Sequence, residues 1–172
     1  MPRCKHCKDK FEPLRFNQKY CMNEECVRVW VETEKQKQWK AKKTRLKKEL
    51  MSLQDWLKLA QMTFNKYIRH RDKGMSCISC GNEPKKANAG HYFSQGGHSN
   101  VRFNEDNVHL QCEHCNSYLS GNLLNYRIGI EKRIGTARLI VLEVIAHETK
   151  KWTVQELNEI IETYKKKLKD EI

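Results

Sequence analysis

Eight cysteines fall in four close pairs, Cys4/Cys7, Cys21/Cys26, Cys77/Cys80 and Cys112/Cys115. Thiolates a few residues apart suit a tetrahedral metal in a reducing compartment, and disulfides are the rival reading. Two Cys4 Zn²⁺ sites use all eight residues with none left over. Such sites are closed, so each zinc is expected to hold the chain together without meeting substrate. His6 and His114 lie inside cysteine pairs, but with four thiolates at each site neither is required.

Between Cys80 and Cys112 lie 31 residues, far more than a minimal zinc finger needs. They include Ala89-Gly90-His91-Tyr92 and Asn107-Val108-His109-Leu110-Gln111, and Asn116 follows the last cysteine directly. Phosphodiester hydrolysis needs a base to deprotonate water and a cation to neutralise charge on the phosphate. A histidine on a strand and an asparagine at the start of the next helix can supply the base and a cation ligand. The order of these residues is similar to that of zinc-bound His-Me finger (HNH) nucleases. By that similarity His91 is the general base, Asn116 a ligand of a catalytic Mg²⁺ or Mn²⁺, and Asn107 the middle asparagine that braces the hairpin. One position departs from the pattern. Many of these nucleases carry a metal-binding Asp directly before the base, where this chain has Gly90. Asn88, on the same strand face, and His109 are the candidates to complete the metal shell.

The elements around these residues are legible in outline. Residues 1–28 have few apolar side chains and read as a zinc knuckle that depends on its metal. Residues 29–51 form a basic helix or linker. Ser52 can cap a helix with Leu53, Trp56, Leu57, Ala60, Phe64, Tyr67 and Ile68 on one face. Residues 76–115 show turn residues between strand-like pieces, and predict a hairpin held at both ends by zinc. A helix is expected over 116–134, broken at Gly135, while the apolar run 139–145 reads equally as helix or strand. Thr153 and Glu156 form a capping box for a last helix burying Val154, Leu157, Ile160, Ile161, Tyr164 and Leu168. The expected fold is α+β, a zinc-stabilised ββα-metal core at about 76–134 inside a domain spanning 52–172, with C-terminal helices over 136–172 and an N-terminal zinc knuckle.

Charge points to the partner. The chain carries 33 Lys and Arg against 21 Asp and Glu, a net charge of +12. A polyanion is the natural complement. No apolar run approaches the roughly 20 residues that cross a bilayer, and no signal-peptide pattern opens the chain, so DNA in the host cytoplasm is expected and a membrane is not. Residues 35–48 hold eight basic residues and no acid. Lys40, Lys42, Lys43, Arg45, Lys47 and Lys48 are the expected phosphate contacts, extended by Arg102, Arg127, Lys132 and Arg133.

Further residues sharpen the family resemblance: Arg102-Phe103-Asn104-Glu105, Cys115-Asn116, Ser120-Gly121-Asn122, Tyr126-Arg127, Cys77-Ile78-Ser79-Cys80-Gly81 and Trp152-Thr153. With the N-terminal cysteines and the basic segment, they make most of the chain resemble the NinG (Rap) recombination endonucleases of lambdoid phages. The resemblance implies a phage-encoded endonuclease that cuts branched DNA, Holliday junctions or D-loops, during homologous recombination. It also implies work beside other recombination proteins. The two-fold symmetry of such junctions suggests a homodimer. Two other readings stay open at this point: a non-catalytic zinc protein that binds nucleic acid, and a sequence-specific HNH nuclease.

Overall fold

Asn23 opens the first helix by accepting the Glu25 N–H at 3.0 Å. In this computed structural model, which describes residues 1–170, helix α1 runs Glu24–Glu49, with Glu24 and Glu25 in its first turn and Lys47 and Lys48 in its last. Both pairs complement the helix dipole. Cys26 is its only buried residue. A helix that buries so little gains almost nothing from packing, so a metal in the cysteine quartet at its foot would carry most of this unit's order. The chain divides into two compact units, Met1–Met51 and Ser52–Ile172. Knuckle and basic helix together make up the first.

The second unit begins where Ser52 and Asp55 form a reciprocal capping box. Helix α2, Leu53–Arg71, buries Trp56, Leu57, Ala60, Gln61, Phe64, Tyr67 and Ile68. Leu53 stays 43% exposed. Strands β1, Ala87–His91, and β2, Val108–Cys112, pair antiparallel with Gly90 opposite His109 and His91 opposite Val108. The chain then makes one wide turn, His114–Tyr118, in which the Leu119 N–H donates to the His114 carbonyl at 2.9 Å. The expected continuous helix from 116 is therefore corrected. Ser120, Gly121 and Asn122 all take positive φ (48°, 93° and 46°), which no helix tolerates, and helix α3 starts only at Leu123 and ends at Ile134.

Gly135 at φ 84° separates α3 from α4, Thr136–Ile145, so the ambiguous apolar run is helical. Thr153 and Glu156 cap α5, Val154–Asp170, through the Thr153 and Glu156 N–H groups. Its buried residues are Leu157, Ile161 and Tyr164, while Val154 stays 43% exposed. Helices α2 and α5 pack together, with the Phe64 ring 4.9 Å from Tyr164 and 5.8 Å from Phe103. A second cluster joins α3 and α4 through Ile78, Val101, Tyr126, Ile130, Leu139 and Leu142. The architecture is mixed α+β, and among the described residues no helix is long and apolar enough to cross a membrane.

Candidate active site and metal centres

Each predicted cysteine quartet assembles. The four Sγ atoms of Cys4, Cys7, Cys21 and Cys26 lie within 4.8 Å of one another, as do those of Cys77, Cys80, Cys112 and Cys115. Zn–S bonds of about 2.3 Å in a tetrahedron set sulfurs roughly 3.8 Å apart. Cys7 and Cys21 are separated by 3.8 Å and Cys80 and Cys112 by 3.9 Å, so both quartets fit zinc, and no cysteine is in a disulfide. Burial raises the Cys77 pKa, but the backbone N–H groups of Cys112, Cys80 and Ser79 outweigh it and bring it down to about 7. Burial drives Cys115 the other way, to about 12. A thiol that resists ionising alone can do so onto a metal, which binds by displacing protons.

Zinc in the second quartet would hold together the start of β1's approach, the end of β2 and the turn bearing Asn116. His91, at the end of β1, and Asn116 line the same open cleft of about 980 Å³, together with Asn88, Arg69 and Arg127. The base and both amide candidates are thus brought to one wall.

His91 is oriented from behind. Gln61, buried on α2, accepts from Arg102 Nε at 2.9 Å through its Oε1 and donates to Asn65 Oδ1 at 2.8 Å. Its amide nitrogen also lies 3.3 Å from His91 Nε2. Arg102 fixes which end of the amide faces the imidazole, so Nε2 must carry a lone pair and the ring proton belongs on Nδ1. Burial, reinforced by the Arg102 charge and opposed by backbone groups of Arg102 and Ala89, lowers the His91 pKa to about 4. The ring is neutral at physiological pH, the form a general base needs.

Asn107 has no exposed surface. Its Oδ1 accepts the Phe93 N–H at 2.8 Å, and its Nδ2 donates to the carbonyls of Phe93 and Val101 at 3.0 Å each. All three bonds tie Asn107 to the loop between the strands. Asn116 is half-buried, and its Nδ2 makes only a 3.5 Å contact with Ser117 Oγ.

Several expected roles are corrected. His109 shares the face of Gly90, but its Nε2 meets the Asp106 carbonyl at 3.0 Å and its Nδ1 the Arg71 guanidinium at 3.1 Å. With both nitrogens engaged and burial lowering its pKa to about 4, it is a structural residue with no lone pair left for a metal. Arg133 turns inward to the Ser76 carbonyl at 3.4 Å and to Asp72 at 3.6 Å, so its guanidinium is engaged within the protein. Arg102 is committed to Gln61, and Arg127 pairs with Glu143 at 3.3 Å and Glu131 at 3.6 Å. Lys132 and the α1 residues Lys40, Lys42, Lys43, Lys47 and Lys48 are exposed, as is Arg45, which pairs with Glu49 at 3.4 Å.

Sequence reasoning missed Gln61, Arg69 and Gln111. Gln111 is fully buried on β2, and its Nε2 donates to Ser79 Oγ at 2.7 Å and to the Gly121 carbonyl at 2.6 Å. Only the polar face of α2 signalled Arg69, and nothing in the local pattern signalled the two glutamines.

Residues 1–171 match the family described as "Bacteriophage Lambda NinG protein". "Protein ninG" of Escherichia phage lambda is 35% identical over 188 residues, covering 98% of this chain and 92% of the relative. "Protein ninG" of Salmonella phage P22 is equally similar, 35% over 188 residues with the same coverage. "Protein ninG" of Escherichia phage 933W is 35% identical over 186 residues, again covering 98% of this chain and 92% of the relative. No solved structure matches the chain.

Proposed function

Because this chain belongs to the NinG family of bacteriophage proteins, we propose that it is a metal-dependent endodeoxyribonuclease of the His-Me finger type, cutting branched DNA during phage recombination. The observation that carries the reading is the shared cleft, which combines a neutral imidazole with amide oxygens in front of a cysteine quartet. Hard oxygen donors suit Mg²⁺ or Mn²⁺ and not a thiolate-seeking ion. Asn116 and Asn88 would hold such an ion, which when bound supplies positive charge to the phosphate and the leaving oxygen.

The remaining work falls to the protein's own side chains. His91 Nε2 exchanges the Gln61 amide for a water and takes its proton as the water oxygen bonds to phosphorus; the P–O bond to the leaving strand breaks, and the departing oxygen takes a proton from solvent. Before that exchange Gln61, held by Arg102, presets the ring with its Nε2 lone pair directed at the place the water takes. Asn107 holds the loop behind the ring in register. Arg69, at the cleft rim, offers a guanidinium to the DNA backbone. The exposed basic residues of the C-terminal half of α1 add phosphate contacts that carry affinity without sequence information.

The test is cleavage of a four-way junction and a matched linear duplex by the zinc-loaded protein, with Mg²⁺ or EDTA, beside His91→Ala. Junction cutting should need Mg²⁺, and in the variant it should fall by two or more orders of magnitude, roughly the worth of a general base. Binding without scission, or an equally active His91→Ala, removes the nuclease reading. Specific cuts in plain duplex would assign the chemistry to a different substrate.

A further inference from the structure

Position 90, where related active sites carry a side chain, is not empty space in this protein. A Cβ built on Gly90 would meet Gln111 Oε1 at 2.2 Å, Gln111 Cβ at 2.9 Å and Gln111 Cδ at 3.0 Å. Gln111 has reached across from the neighbouring strand and filled the volume. In an aspartate, covalent geometry sets a carboxylate oxygen roughly 2.4 Å from its own Cβ. Gln111 Oε1 therefore lies at about the distance from a Cβ at position 90 that an aspartate's own carboxylate oxygen would have.

The same oxygen lacks a partner. Among the described residues Gln111 Oε1 is one of two buried side-chain polar atoms without a hydrogen bond. The amide cannot turn over to relieve this, because its nitrogen donates to Ser79 Oγ and to the Gly121 carbonyl, and a carbonyl can only accept. A buried acceptor left bare costs on the order of 1–3 kcal/mol, and native proteins rarely keep one without a water, an ion or a functional reason. Both neighbours of Gln111 belong to the cleft: Asn88 is its cross-strand partner, Gly121 accepts from its nitrogen, and both line the wall with Asn116 and His91. A divalent cation seated at about 2.1 Å would give this oxygen the partner it lacks.

We propose that Gln111 supplies the oxygen that Gly90 cannot, making its Oε1 a ligand of the divalent cation in the cleft beside Asn116. This rests on the reading of the cleft as a cation site. Ser79 and Gly121 then act as its outer partners, pinning the nitrogen so that the oxygen is presented without rotamer freedom. Since Ser79 sits between Cys77 and Cys80, the zinc quartet fixes the cation ligand as well as the asparagine turn. The arrangement also accounts for glycine at position 90, because any larger residue would compete with Gln111 for the same volume.

The experiment measures Mn²⁺ binding to the full-length zinc-loaded protein by loss of the free-ion EPR signal, without DNA or turnover. Zinc content and far-UV circular dichroism report folding. Gln111→Ala is expected to weaken Mn²⁺ binding tenfold or more with zinc content unchanged. Gly90→Asp/Gln111→Ala, which moves the oxygen back to the first strand, is expected to restore it. Gly90→Asp alone is expected to destabilise the protein through the clash with Gln111. Gln111→Asn keeps an amide but draws its oxygen back by one methylene, and is expected to weaken Mn²⁺ binding as well. If Gln111→Ala does not fold, Gln111→Asn decides: unchanged affinity overturns the proposal. Wild type that binds Mn²⁺ while folded Gln111→Ala binds it equally well also overturns it, but leaves the cation site standing. Wild type that binds no Mn²⁺ overturns both the site and its ligand.

Discussion

The two asparagines that frame the hairpin should separate cleanly when each is cut back to alanine. Asn107→Ala removes three hydrogen bonds of 2.8, 3.0 and 3.0 Å from a side chain with no exposed surface. It strands the Phe93 N–H and the Phe93 carbonyl, while the Val101 carbonyl keeps the Asn104 N–H at 3.1 Å. For the two stranded groups, at about 1–3 kcal/mol each less what entering water recovers, the loss comes to about 2–4 kcal/mol. That is a large share of the roughly 5–15 kcal/mol that holds a domain together. Asn116→Ala removes only a 3.5 Å contact from a half-buried turn, and should cost within about 0.5 kcal/mol. Urea unfolding of both zinc-loaded variants, followed by Trp fluorescence near neutral pH, gives the comparison. Cleavage on a junction gives the complementary one, since Asn116→Ala should be stable and inactive. An Asn107→Ala variant that loses less than about 1 kcal/mol, the lower bound for one stranded group, would refute the assignment of that residue as a brace. So would an Asn116→Ala variant that loses as much as Asn107→Ala.

Three other outcomes follow from the same geometry. His91 and His109 both have pKa values lowered from 6.5 to about 4, chiefly by burial. A neutral ring that the unfolded chain protonates first contributes its full stability above pH 6.5 and loses it as pH falls toward 4. The slope is up to about 1.4 kcal/mol per pH unit for each ring, and His109→Gln should shallow it in urea titrations between about pH 6.5 and pH 4.5; an unchanged slope would contradict the burial account. Gly129→Ala would bring a Cβ within 1.9 Å of the Ile78 carbonyl oxygen. Separating α3 from the cysteine turn should cost about 2 kcal/mol or more, and an unshifted melting temperature would show that the helix can give way freely. In the Lys42→Gln/Lys43→Gln/Lys47→Gln variant, the slope of log affinity against log salt should fall by about 0.9 for each phosphate that the helix no longer neutralises. A parent-like slope in a filter-binding series would mean that this exposed face of α1 is merely solvated.

Much of this architecture can be read in advance because its causes are local. Cysteines three to five positions apart can converge on one ion whatever the rest of the chain does, and both quartets assemble. Ser52 with Asp55 and Thr153 with Glu156 satisfy helix ends within one turn, so α2 and α5 begin where the capping residues stand. The apolar run at 139–145 is ambiguous for an equally physical reason. Only Leu139 and Leu142 are fully buried, and Ile140, Val141 and Val144 remain more than half exposed, so periodicity could not reveal which face was inside. The break after Asn116 is visible as Ser-Gly-Asn but outweighed by the helical pattern on either side of it.

The site is less legible than the fold because its decisive polar residues are defined by partners far along the chain. Gln61 matters because Arg102, 41 positions away, holds one end of its amide. His109 looks like a metal ligand in a strand rich in such candidates, until Arg71, 38 positions away, takes its Nδ1. Gln111 is inconspicuous beside Cys112, and Gly90 reads as a missing ligand, when each is considered alone. Their relation emerges only through strand register, which sets Gln111 opposite Asn88 and lets its side chain lean over the glycine two residues further on. Glycine at position 90 therefore has two opposite physical meanings: lost metal chemistry if the space above it is vacant, relocated chemistry if another oxygen occupies it. The Oε1 at 2.2 Å from the absent Cβ favours the second, and the strand-to-strand swap of that oxygen in Gly90→Asp/Gln111→Ala is the perturbation that separates them.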